Sequence, residues 1–580
     1  MNIRRWPGPS SLMMIPLLHA APAPAAPDDA PRVVVRFEEC PIIVQLKSGP
    51  LMGVYQRWFE KRPELAARDS RDGGTTWSEP RRLLELPREP GGWLGAYALV
   101  DGDGRLHVFS LNDAHTGIVQ TGEDDRPRVG RTGERRLDIW YTRSSDEGKS
   151  WTPIRSIWTG YTGAMNSAAQ LRSGRLLFPF SCLTQRTWSS RGTGLDAFTF
   201  TGQYDCAVLY SDDAGASWSL SPDRVRVVVP DIVSAYGAVE PVVLELKDGR
   251  VWMLIRTQLG RFYESFSPDG RSWSAPRPTR IISSDSPPGL LRLADGRMAM
   301  FWNGCLRFPY AYGGRHVLHA AVSEDEGRTW RGAREVARDP YRNDPPPPSG
   351  DHGPSYPYPS VSKEGMILFT TGVATGAGRS VCRLAPRWLY ETRQQADFVN
   401  RLDEWSRFGT RGVEVTAHPD RPEARVLALR KPDPDWPSAV VWNFPIGAKG
   451  TLRMRVLLRA DSPGALLGLT DHFSVPFDAE DVFNNVYNLS LNVGKNGEEG
   501  VALQPDRWHA LVLDWDTARR VCRVRVDGSP AGELTGLRES AGVNYVRLKL
   551  AAAERDGGGM MLESVEADVS ASWPERASAK

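Results

Sequence analysis

Through the first two thirds of the chain, short apolar runs come in pairs, each pair joined by a polar turn ending in glycine. The pairs read IIVQLKSGPLMGVY around Gly49, YALVDGDGRLHVF around Gly104 and AAQLRSGRLLFPF around Gly174. They continue as VVLELKDGRVWMLI around Gly249, GLLRLADGRMAMFW around Gly296 and PSVSKEGMILF around Gly365. Runs of this length flanking a glycine turn predict β-hairpins, because glycine supplies the positive φ that a tight turn needs. Six hairpins predict six blades, a radial repeat that leaves few open sheet edges.

A second pattern follows the first five hairpins. It contains Ser70, Asp72, Gly74, Thr76 and Trp77, then Ser144, Asp146, Gly148, Ser150 and Trp151, then Ser211, Asp213, Gly215, Ser217 and Trp218. A version one residue shorter has Ser267, Asp269, Gly270, Ser272 and Trp273, and the last has Ser323, Asp325, Gly327, Thr329 and Trp330. The spacing predicts a turn whose Asp carboxylate accepts nearby backbone N–H groups while Gly takes the strained position and Trp packs inward. This is a structural device rather than a catalytic one.

After about residue 395 both repeats stop. Alternating segments such as TLRMRVLLRA, HALVLDWD, RVCRVRVDG and NYVRLKLAAA take over. Their period of two predicts strands of a β-sandwich. The expected fold class is therefore all-β: a six-bladed propeller over residues 33–392 and a β-sandwich over 396–575.

Composition narrows the function. Lys and Arg number 72 against 70 Asp and Glu, a balance without the footprint of a nucleic-acid binder. A neutral or weakly acidic ligand fits better. The six cysteines, at 40, 182, 206, 305, 382 and 522, lack metal-ligand spacing, and no metal site is expected. Cys182 and Cys206 are either a disulfide or buried thiols. Arg4 and Arg5 precede a short apolar run and an Ala/Pro stretch, which reads as a signal peptide over 1–26 and predicts a secreted or periplasmic protein. No later stretch has the apolar length of a membrane span.

The five S-x-D-x-G-x-T-W turns, each after a hairpin, resemble the Asp-boxes of the sialidase (neuraminidase) superfamily with BNR repeats. The segment RWHALVLDWDTARRVCRVRVDG resembles concanavalin-like lectin modules, and only that resemblance implies a lectin-like jelly roll for the sandwich. The first resemblance implies an exo-acting glycoside hydrolase that removes terminal sialic acid or a related acidic sugar from a glycan or oligosaccharide, without a cofactor; a propeller hydrolase or lyase for a different sugar and a non-catalytic carbohydrate-binding protein are the alternatives. It also implies site residues. Glu240 opens the inner strand of blade four with Arg256 sixteen residues later, which matches the family order of a glutamate that activates the nucleophile and a clamp arginine. Arg315 occupies the place of another clamp arginine. Tyr356 stands nine residues before Gly365 as Glu240 stands nine before Gly249, which puts the tyrosine nucleophile there. Tyr358 shares its face by period two and remains an alternative.

The chemistry explains the pairing. Sialidases depart from the two-carboxylate rule by using tyrosine, since a carboxylate nucleophile would be repelled by a carboxylate on the carbon under attack. A neutral phenol avoids this, and an adjacent glutamate takes its proton. Two positions depart from the family pattern. Where it has an Arg-Ile-Pro motif opening blade one, this chain has Glu39, Cys40 and Pro41, with Arg36 or Arg57 as possible substitutes. Where it has an acid/base aspartate, the loop QRWFEKRPELAARD offers Glu60 or Glu64, Glu60 being preferred. Stacking aromatics for a sugar are Trp58, Trp93, Trp158, Trp188 and Trp302, and Asp351 and His352 lie in a Pro-rich loop before Tyr356.

Overall fold

The computed structural model describes residues 29–88, 92–113, 136–186, 202–228, 237–306, 314–344, 353–373, 379–399, 402–407, 411–435, 437–475, 480–494, 500–551, 555–570 and 573–574. The leader, Trp188, Asp351 and His352 lie outside the described residues.

Six antiparallel sheets follow one another along the first part of the chain. Blade one runs from Ile42–Gln45 to Arg81–Glu85, blade two from Trp93–Val100 to Arg155–Trp158, and blade three from Ala169–Gln170 to Ser219–Leu220. Blade four runs from Val239–Glu245 to Arg277–Ile282 and blade five from Gly289–Arg292 to Thr329–Arg338. Blade six has three strands from Ser355–Val361 to Ser380–Leu384, and its outer strand is Arg32–Arg36 from the start of the described chain. That pairing closes the ring and removes the edge each end would otherwise expose. It also explains why the sixth blade has no box of its own: its fourth strand does not follow its third in sequence.

Within each blade the strands alternate in direction, so the glycine turns and the Asp-boxes share one face of the ring. The first two hairpin glycines have φ of 121° and 91°, in the region that L-residues avoid. The boxes close as their spacing predicts. In blade one the Ser70 hydroxyl donates to Asp72 Oδ1 at 2.9 Å, and the Thr76 N–H donates to the same oxygen at 2.9 Å. The Gly74 N–H donates to Ser70 Oγ at 3.0 Å, and the Trp77 indole N–H reaches the Gly74 carbonyl at 3.0 Å. The Thr76 hydroxyl, then its N–H, hold the Asp72 carboxyl down at about 2. Trp330 is fully buried, whereas the other four box tryptophans are half-buried plugs between blades.

Blade neighbours are tied on this face as well. The Ser48 N–H donates to Glu147 Oε1 at 2.9 Å, and the Lys247 N–H donates to Glu326 Oε2 at 2.8 Å. Between blades lie apolar clusters such as Phe109, Phe178 and Tyr141. All six cysteines are free thiols; Cys182 and Cys206 sit on adjacent strands of blade three, and burial pushes the Cys206 thiol well up.

The second unit is a β-sandwich of two packed sheets. One contains Val413–Ala417, Arg425–Lys431, Asp556–Val569, Lys449–Leu458, His509–Asp516, Val521–Val526 and Ser529–Thr535. The other contains Trp405–Arg407, Ala439–Gly447, Val543–Leu550, Ala465–Thr470, Tyr487–Val493 and Val501–Leu503. Inward positions such as Trp442, Leu467, Leu513 and Leu562 form its core. Blade five carries it: the Tyr545 hydroxyl donates to Glu335 Oε1 at 2.6 Å and lies 2.6 Å from His319 Nε2. The last described strand, Trp573–Pro574, pairs with the edge of blade five. Among the described residues no helix is long and apolar enough to cross a membrane.

Candidate active site

The strand ends opposite the Asp-boxes meet around the ring axis. Glu240 stands at the start of the inner strand of blade four, where the register slips between Val239 and Val242. Its φ is 48°, a left-handed conformation that is uncommon for non-glycine residues and unexpected at the start of a strand. Tyr356 holds the matching position of blade six with φ of 54°. The two strained residues aim at each other: the Tyr356 hydroxyl donates to Glu240 Oε1 at 3.2 Å.

Arg256 ends the second strand of blade four, with Val239 directly opposite. Its Nη1 donates to Glu240 Oε2 and, at 3.0 Å, to the Tyr356 oxygen. Its Nε donates at 2.8 Å to Oδ1 of Asp285, in the connection from blade four to blade five. Asp285 Oδ2 accepts from Gln258 at 3.1 Å. Arg315 Nη2 donates to the Asp285 carbonyl at 2.9 Å, and its guanidinium lies 5.3 Å from the centre of the Tyr356 ring. Glu240, Arg256 and Arg315 are each at most 6% exposed, a setting in which charges persist only when paired.

Two glycines make room for this cluster. A Cβ on Gly163 would lie 3.2 Å from Oε1 of Glu240 and 2.9 Å from Ser181 Oγ, and the next residue, Ala164, donates its N–H to Glu240 Oε1 at 3.2 Å. A Cβ on Gly372 would lie 3.1 Å from the Tyr356 Cβ.

The structure thus brings Glu240, Arg256, Arg315 and Tyr356 into one group. Tyr358 lies beside the group: a Cβ on Gly372 would lie 3.4 Å from its hydroxyl as well, its ring meets Tyr97 edge-on at 6.2 Å, and burial raises its hydroxyl pKa well above the ordinary value.

Blade one corrects one expectation. QRWFEKRPELAARD is not a loop but the two central strands of the blade, Leu51–Phe59 and Arg62–Ser70, joined by a two-residue turn at Glu60 and Lys61 with φ of 48° and 63°. Arg57 lies near the end of the second strand of blade one and donates its Nε at 2.8 Å to Glu64, which is 3% exposed. Glu39 pairs with Arg379 at 3.4 Å on a half-exposed surface. Glu60 rides the exposed hairpin tip on the same face as Glu240. Of the stacking candidates, Trp93 and Trp302 are core, Trp158 is half-buried, and Trp58 beside that tip is 57% exposed.

Asp285, Gln258 and the Ala164 N–H were not singled out from sequence. Asp285 had a signal, since it precedes the inner strand of blade five much as Glu240 opens that of blade four.

The described residues thus form a closed six-bladed ring with five Asp-box turns and a polar cluster at its axis. Residues 93–368 match the BNR repeat-like domain family. No curated protein matches the sequence. Among solved structures, it is similar to Trypanosoma rangeli sialidase in complex with 2,3-difluorosialic acid, at 14% identity over 93% of this chain and 91% of that one, TM-score 0.39. It is also similar to the NanB sialidase of Streptococcus pneumoniae, at 13% identity over 61% of this chain and 70% of that one, TM-score 0.41. A Dyadobacter fermentans protein of unknown function is 18% identical over 61% of this chain and 96% of that one, TM-score 0.42.

Proposed function

We propose that the funnel is the active site of a sialidase-type, exo-acting glycoside hydrolase in which Tyr356 is the nucleophile and Glu240 its base. The observation that carries this reading is the Tyr356–Glu240 hydrogen bond, with Arg256 donating to both oxygen centres. Glu240 takes the phenol proton as the phenolate oxygen attacks the anomeric carbon and the bond to the leaving oxygen breaks. Arg256 and Arg315 stabilise the phenolate as it forms. A covalent glycosyl-tyrosine results, and water then releases the sugar with the anomeric configuration of the substrate, the product of two displacements. Glu60, on the exposed tip of the blade-one hairpin, is the group we assign to protonate the leaving oxygen.

Turnover of a panel of aryl glycosides, including a sialoside, tests the reading. Wild-type protein is expected to cleave at least one of them, and Glu240→Gln to retain binding without cleavage. A protein that only holds glycans would cleave none, and Glu240→Gln would then have no turnover to lose. For Glu60→Gln, activity should fall on substrates with poor leaving groups and be spared on nitrophenyl glycosides, which leave without a proton.

A further inference from the structure

We infer that the funnel takes a neutral glycoside, one whose anomeric carbon bears no carboxylate, because both edges of the Arg256 fork are closed by the protein's own acceptors. The inference rests on the funnel being a glycoside site and names the class of sugar it accepts.

A guanidinium grips a carboxylate through two neighbouring donors, either Nε with Nη2 or Nη1 with Nη2. In this chain Nε donates to Asp285 at 2.8 Å. Both hydrogens of Nη1 are engaged, one by Glu240 and the other by the Tyr356 oxygen at 3.0 Å. At least three of the five donors a guanidinium carries are therefore committed, and each edge has lost one member of its pair.

The charges agree with the geometry. Two carboxylates, Glu240 and Asp285, flank one guanidinium in a nearly buried setting, their side chains 5% and 11% exposed. An incoming carboxylate would meet both and would have to break the Arg256–Asp285 pair to bind. The position that opens blade one supplies no cation either, since Glu39 is there and pairs with Arg379.

Tyrosine has a use in this arrangement without a substrate carboxylate. A third carboxylate beside Glu240 and Asp285 would be repelled by both, whereas a phenol is neutral until it attacks. Arg256 is then a stabiliser of the nucleophile rather than a clamp for the sugar, with Asp285 as the positioning residue that holds its Nε edge.

The test compares binding of the non-hydrolysable methyl 2-thio-α-sialoside with that of its C1 carboxamide, which differs only in lacking the charge, by calorimetry on the full-length wild-type protein, in which both carboxylates stay in place. A working clamp would make the carboxylate tighter by about 10- to 100-fold. The expected result is no preference for the carboxylate, together with turnover by the wild-type protein of a neutral aryl glycoside in preference to the aryl sialoside. Asp285→Ala, introduced alone and checked for an unchanged melting temperature, opens the Nε edge. It should raise sialoside affinity by about tenfold and leave the carboxamide unchanged. A carboxylate preference of about tenfold or more without the Asp285 change would overturn the inference. Absence of turnover on every glycoside would instead overturn the hydrolase reading, because the binding ratio is measured without catalysis.

Discussion

The Asp-box carboxylates and the Glu240 carboxylate lie on opposite faces of one ring and are satisfied in opposite ways. Asp72 and Asp213 take their bonds from residues two to four positions away. Glu240 takes its bonds from Arg256, Ala164 and Tyr356, which stand 16, 76 and 116 positions away. A box is closed by its own segment and forms wherever that segment lies. The Glu240 cluster exists only once blades three, four and six are in place around the axis. One carboxylate is therefore a fixture of a turn, while the other is a product of ring closure, oriented by residues from separate blades and held against a potential nucleophile.

The largest effects should fall on the non-local side. Glu240→Gln keeps the shape of the side chain and loses proton acceptance, so turnover should drop about 100- to 10,000-fold with the melting temperature little changed. Steady-state kinetics on a confirmed substrate check this, and unchanged turnover would erase the contrast between the two faces. Next comes Gly163→Ala. Its Cβ would press on Ser181 Oγ and on Glu240. A displacement of a few tenths of an ångström in the base should lower kcat by about tenfold, since misplacement by one ångström can cost about 100-fold.

On the local side, Asp213→Ala leaves the Ser217 N–H and hydroxyl without their acceptor. By analogy with lost helix caps it should cost about 1 kcal/mol of stability, read by denaturant unfolding, with no change in kcat. The smallest effect concerns acid. Asp72 titrates at about 2 in the folded chain against an ordinary 3.8. A lowered folded pKa stabilises above the unfolded value and is lost as pH falls through the folded one. The melting-temperature gap between wild type and Asp72→Asn should therefore narrow as pH drops from about 4 to about 2, and a constant gap would deny the box its carboxylate role.

The same contrast explains what the sequence disclosed. The boxes and glycine turns were legible because each is written in one short segment, and their count and spacing gave the ring. Glu240 and Tyr356 were legible through their equal offsets from the hairpin glycines of blades four and six, and Arg256 and Arg315 through resemblance. Asp285 and the Ala164 N–H were not, since they sit in connections between blades whose paths are set only by closure. Blade one misled for a different reason. The Glu60–Lys61 turn has both residues in the left-handed region with neither glycine nor asparagine to signal it. The strand pair beneath it is held by the Arg57–Glu64 bond, which no local pattern announces.

The central claim, that ring closure turns Tyr356 into a nucleophile served by Glu240, has a direct test. Wild-type protein would be incubated with the 2-deoxy-2-fluoro glycosyl fluoride matching a sugar it cleaves, quenched in acid, digested and mapped by tandem mass spectrometry. The account predicts one fluoroglycosyl adduct, carried by the Tyr356 oxygen and absent from Tyr356→Phe. An adduct on Glu240, Asp285 or Tyr358, with Tyr356 unmodified, would contradict it.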